Sequence, residues 1–74
     1  MVLKKKILTP REHEVFMLLA LRYSTQEIAI RLGISPKTTR NHISNVIQKL
    51  DVKNRVQALK ELIKLGEIND FIVD

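Results

Sequence analysis

Four times in this chain a residue that caps helices stands just ahead of an apolar pattern of helical period. That recurrence constrains the fold more than any other feature. Thr9-Pro10-Arg11-Glu12 offers a capping hydroxyl, a proline at the first helical position and a glutamate three residues past the cap. Such a pair can satisfy two backbone N–H groups reciprocally at a helix start. Ser24-Thr25-Gln26-Glu27 repeats the device, Ser35-Pro36 is a third start, and Asn54-Arg55-Val56-Gln57 is a fourth with glutamine in the glutamate's place.

The apolar residues behind these signals predict four helices. Val15, Phe16, Leu18 and Leu19, with Leu8 ahead of them, give the first a broad face to about Leu21. Ile28, Ala29 and Leu32 mark a short second helix, which Gly33 ends because glycine readily takes the left-handed conformation. Thr39, Ile43, Val46, Ile47 and Leu50 recur at spacings of three and four along the third. After Asp51 and Val52 a fourth helix carries Ala58, Leu59, Leu62 and Leu65 inward and stops at Gly66. Sustained alternation and hairpin turn pairs are both missing from the sequence, so strands are not expected.

The predicted fold is therefore all-α: a compact four-helix domain with a central helix-turn-helix. A short helix, the tight turn Gly33-Ile34-Ser35 and a longer helix form that unit. Ala29 is small where the two helices cross, and Ile34 plugs the turn. The unit cannot bury its own apolar faces, so the first and fourth helices must complete the core. The expected organisation is a basic arm over residues 1–7, the domain over 8–66 and an acidic tail over 67–74.

Seventy-four residues, 45% of them hydrophobic, suffice for one small core but not for an enclosed ligand cavity. No run approaches a membrane span, and no export signal follows Lys4-Lys5-Lys6. A soluble cytoplasmic protein without a membrane partner is expected. There are no cysteines and two histidines, so no metal centre or other cofactor is expected. No nucleophile–base pair, paired carboxylates in a pocket or phosphate loop is present, so enzyme activity is not expected. All thirteen Lys and Arg lie in residues 1–66 with five acids, whereas the last eight residues add three acids and no base. A basic field of this kind favours polyanions through counterion release.

The face of the third helix opposite its apolar stripe names the polyanion. Lys37, Arg40, Asn41, Ser44 and Gln48 form one continuous strip at 100° per residue, without an acid. Arginine and lysine pair with guanine, asparagine and glutamine with adenine, and serine with either. A merely solvated face would mix Glu with Lys, because paired charges support a helix. Thr25, Thr38, His42, Asn45, Lys49, Lys53 and Arg55 flank the strip as candidate phosphate contacts. Arg55 is open to a second role, pairing with an acid such as Glu12 to hold the fourth helix. His42 is open to anchoring the helix instead, and Tyr23 to packing over the core. With three unclustered aromatics, stacking on single strands is poorly supported.

The segments L-T-P-R-E-H-E-V-F, S-T-Q-E-I-A-I-R-L-G-I-S-P-K-T-T-R-N-H-I-S-N-V-I-Q-K-L and V-K-N-R-V-Q-A resemble the LuxR/GerE-type helix-turn-helix family. From Leu8 to Gly66 the resemblance covers about four-fifths of the chain and is specific in order and spacing. R-N-H-I-S-N and Q-K-L bring it nearest to the stand-alone members, which regulate late sporulation genes in spore-forming bacilli. The resemblance implies a dimeric transcription factor that activates some promoters and represses others, with two half-sites on double-stranded DNA. RNA polymerase is then a candidate partner. The resemblance also implies base contacts at Arg40, Asn41 and Ser44, and a homodimer paired through the last helix. Val56, Lys60, Ile63 and Glu67 are the outward stripe of that helix, a small patch suited to self-pairing. Many relatives carry a receiver or ligand-binding domain ahead of this module, and their modes of control are not carried over.

Two positions depart from the family pattern. Thr39 replaces the usual valine at a core position, where its hydroxyl is expected to bond back to a carbonyl of its own helix. Asp51 replaces the usual glycine, which predicts an altered turn there. Three other readings compete with the stand-alone regulator. The chain could be the detached domain of a larger regulator of this family. It could be the promoter-reading segment of a sigma factor, which the fourth amphipathic helix disfavours. Or it could be an adaptor that binds only protein, which the acid-free strip disfavours.

Overall fold

A computed structural model of the protein describes residues 7–68. Lys4-Lys5-Lys6 and the tail from Asn69 onward lie outside the described residues. The chain forms α1 (Pro10–Ala20), α2 (Thr25–Leu32), α3 (Pro36–Leu50) and α4 (Arg55–Lys64), with no strand among the described residues.

Every expected start signal operates. Thr9 Oγ1 accepts the Glu12 N–H at 3.1 Å while Glu12 Oε1 accepts the Thr9 N–H at 3.0 Å. Ser24 and Glu27 make the same exchange at 3.1 and 2.8 Å. Ser35 Oγ accepts the Thr38 N–H, and Asn54 Oδ1 accepts the Gln57 N–H. Gln57 differs from the glutamates: its Oε1 reaches past the cap to the Lys53 N–H at 2.9 Å.

The helix ends are equally uniform. Arg22, Gly33, Asp51 and Gly66 all have positive φ, and each follows the last turn of a helix. In each case the next residue donates its N–H five residues back, as in Tyr23 to Leu18 and Val52 to Ile47. This is the Schellman closure, which satisfies carbonyls left free at a helix end. Apart from Gly33 and its immediate chain neighbours, nothing lies within 4 Å of where its Cβ would stand, so backbone conformation rather than space calls for glycine there. The altered turn expected at Asp51 does not occur: with φ 55° and ψ 46° it closes α3 as glycine would. A short polar side chain tolerates this conformation better than most, although it still carries a steric cost.

α3 lies at the centre and packs against each of the other three helices. The core joins Leu8, Val15, Phe16, Leu19, Ile28, Ile43, Val46, Ala58 and Leu62. Leu18, Leu32, Ile47, Leu50 and Leu59 close its margins. Full burial of side chains such as Phe16, Ile28 and Leu62 contributes about 1.5–3 kcal/mol each. Ile68, placed in the tail on sequence grounds, is 3% exposed and belongs to this core. The folded body therefore extends beyond Gly66. Thr39 is fully buried and its Oγ1 donates to the Ser35 carbonyl at 3.0 Å, the back-bond expected of it.

Candidate nucleic-acid interface

The face of α3 turned from the core is set by the core itself. Ile43 and Val46 are buried at spacing three and fix the rotation of the helix, so Lys37, Arg40, Asn41, Ser44, Asn45 and Gln48 all stand exposed. Among the described residues no hydrogen bond or ion pair engages their side chains. Two cations, three amides and a hydroxyl thus face solvent with their donors and acceptors available, and no carboxylate lies among them.

The flanking residues divide into three groups. Thr25, at the start of α2, is half-buried, and Arg55, at the start of α4, donates from Nη1 to its Oγ1 at 3.3 Å. Two residues thirty apart in sequence thereby share one locus. Arg55 makes no pair with Glu12, the alternative open to it. Thr38 and His42 are half-buried on the flank of α3, with Thr38 Oγ1 2.9 Å from Ser35 Oγ. Lys53 is exposed in the loop between α3 and α4.

Lys49 is different. Its Nζ lies 2.6 Å from Glu12 Oε1 and 3.2 Å from the Ile7 carbonyl, tying α3 to α1 and to the chain ahead of it. The Glu12 side chain is only 5% exposed. Burial pushes its carboxyl pKa up, but bonds from Lys49 and the Thr9 N–H outweigh burial, and the net displacement is downward. One sequence signal pointed to this pair: Glu12 stands three, four and seven residues before Val15, Phe16 and Leu19. It therefore lies on the inward stripe, where an acid needs a partner.

The outer face of α4 is less open than expected. Val56 is 57% exposed and Lys60 is exposed, but Ile63 is half-buried and packs against the core margin. Glu67 is half-buried and accepts the Ile7 N–H at 3.3 Å. The chain turns back after Gly66 to bury Ile68, and that turn carries Glu67 to the N-terminal segment. Tyr23 packs against the core with the Arg31 guanidinium 4.2 Å from its ring centroid, the packing role open to it.

With this geometry in place, comparison with known proteins is decisive. Residues 6–62 match the family described as bacterial regulatory proteins, luxR family. The chain belongs to that family. It is 58% identical over 64 residues to the spore germination protein GerE of Bacillus subtilis, covering 86% of each chain. It is 50% identical over 60 residues to the transcriptional regulatory protein DegU of Brevibacillus brevis. There it covers 81% of this chain but only 25% of the relative. The response regulator VraR of Staphylococcus aureus is 46% identical over 54 residues, spanning 73% of this chain and 26% of VraR. A solved structure of the transcription factor GerE superimposes with a TM-score of 0.86 at 57% identity, covering 88% of this chain and 97% of that one. As a family member the chain is a non-enzymatic transcription regulator with a DNA-binding helix-turn-helix. No helix among the described residues is long and apolar enough to cross a membrane.

Proposed function

We propose that this regulator acts in the cytoplasm on sporulation genes, binding operator DNA as a homodimer with α3 in the major groove of each half-site. The observation that carries this reading is the exposed, acid-free face of α3, whose polar groups have no partner within the described fold. Lys37 and Arg40 match guanine, Asn41 and Gln48 adenine, and Ser44 either base. The sporulation role rests on likeness to a spore germination protein over most of both chains.

Phosphates are held around this face. Thr25 and Arg55 act as one clamp beside the free N–H groups that open α2. Thr38, His42, Asn45 and Lys53 supply further contacts. Lys49 has a third ammonium hydrogen left after Glu12 and Ile7, enough for one more acceptor but with its charge largely neutralised. Two copies meet through α4, chiefly at Val56 and Lys60, with Ile63 and Glu67 at the edge of the contact. Half-sites then lie about one helical turn apart, ~34 Å, or a multiple of it. RNA polymerase would be met when the bound dimer activates.

Selection from random duplexes followed by sequencing tests the reading, with a two-fold-related motif as the expected result. Arg40→Ala should relax preference at one base position, whereas Lys53→Ala should weaken all sequences alike and reduce the salt slope by about one. Val56→Glu should lower the dimer fraction in sedimentation while helical content holds. An absence of salt-sensitive binding would overturn the proposal and favour a protein-only adaptor.

A further inference from the structure

The first turn of α3 is held by three hydroxyl side chains rather than one. Ser35 Oγ accepts the Thr38 N–H at 3.0 Å and lies 2.9 Å from Thr38 Oγ1. The Ser35 carbonyl accepts twice from the same residue, the Thr39 N–H at 3.0 Å and Thr39 Oγ1 at 3.0 Å. Thr39 is fully buried, so water cannot replace that bond. For packing alone the hydroxyl is unnecessary, because valine has the same shape.

We infer that Thr39 is a positioning residue for DNA recognition: its back-bond to Ser35 sets the angle at which Lys37 and Arg40 meet base edges. This rests on the reading of α3 as the recognition helix. A threonine bonded to the carbonyl four residues back often bends a helix slightly. The body of α3 cannot yield, since Ile43 and Val46 are 3% and 0% exposed in the core. A bend there is therefore expressed in the first turn of α3, which lies ahead of the anchored core residues, carries Lys37 and adjoins Arg40. Ser44 and Gln48, a turn or more further along, keep their place. Thr39 thus shapes specificity without facing the DNA, and it does so from the core side of the helix.

Random-duplex selection on the whole chain and on Thr39→Val, Thr39→Ser and Thr39→Ala, with urea unfolding of each, tests the inference. Thr39→Val should be at least as stable as the parent. Its base preference should change by about fivefold at the positions met by Lys37 and Arg40, the lower end of what one bidentate contact supplies. Positions met by Ser44 and Gln48 should not change. Thr39→Ser should lose stability through the missing methyl yet select the parental motif. Thr39→Ala should lose stability and select the Thr39→Val motif, so the alanine–serine pair carries the test if the valine variant does not fold. A motif that is the same in all four chains, or that follows side-chain volume rather than the hydroxyl, overturns the inference. A parental chain that selects no motif overturns the DNA-reading role itself, and this inference with it.

Discussion

The chain opens α1 and α2 with the same four-residue device, and the two copies end in different physical settings. Thr9…Glu12 and Ser24…Glu27 make matching pairs of hydrogen bonds. Yet Glu27 stands in solvent, where its carboxyl has only its own helix start and a nearby Arg31 to answer to. Glu12 is buried, and the same oxygen that caps α1 also receives Lys49 from α3. In one copy the glutamate serves only the start of its own helix. In the other it also ties α3 to α1. The difference teaches that a cap can be local in sequence and still be a tertiary element, once it falls on a helix's inward stripe.

The largest test of that contrast is alanine at each glutamate. Glu12→Ala removes the glutamate half of the capping box and the buried partner of Lys49, and should cost about 2 kcal/mol in urea unfolding. Glu27→Ala should shift the unfolding midpoint distinctly less. Equal shifts would break the comparison.

Next in size is Lys49→Ala, which strands a buried carboxylate but removes a partly solvated ammonium. A loss of about 1–2 kcal/mol is expected. The same substitution in a Glu12→Gln background should cost much less, and a double-mutant cycle measures the coupling. Additive losses would mean that the 2.6 Å contact is not an energetic one.

Acid titration sharpens the comparison further. Both carboxyls have folded pKa values below their ordinary value of 4.5. Each therefore contributes stability that is fully present above that value and lost as pH falls through the folded pKa. Glu12→Gln and Glu27→Gln should each flatten the acid limb of the stability curve. Lys49→Ala should flatten only the Glu12 part, because burial of that carboxyl is then offset by the Thr9 bonds alone. Carboxyl chemical shifts followed by NMR would assign the two limbs.

The smallest effect concerns the helix ends, where one motif is again filled by unlike residues. Asp51→Gly should stabilise by about 0.5–1 kcal/mol by relieving the left-handed conformation, offset in part by greater freedom when unfolded. Gly33→Ala should destabilise by about 1 kcal/mol for the converse reason. Midpoints in urea decide both. A destabilising Asp51→Gly would show that the aspartate side chain does more than tolerate the turn.

Where the sequence succeeded, the determining interactions span three or four residues. Capping boxes, the Gly33 turn, the apolar period of each helix and the acid-free strip on α3 are all written in neighbouring positions. So was the Thr39 back-bond, since its acceptor lies one turn away. The outer stripe of α4 was read only in part, because helical period cannot tell that Ile63 borders the core or that Glu67 is turned toward Ile7. Lys49 was read as a candidate phosphate contact, and its tie to Glu12 went unread for the same reason. Its partner lies 37 positions away, and nothing in its own helix announces it.

The sequence by itself determined where helices begin, which faces are apolar and which face of α3 could meet DNA. Those depend on local hydrogen bonding and on the period of the α-helix. Tertiary structure alone decided which cation is paired within the fold and which stands exposed. It brought Glu12 to Lys49 and Thr25 to Arg55 across 37 and 30 residues. It also put Ile68 into the core and let Asp51 hold a glycine's conformation. A charge's partner is fixed by packing, because only a closed core brings distant side chains within hydrogen-bonding distance and excludes the water that would otherwise serve them.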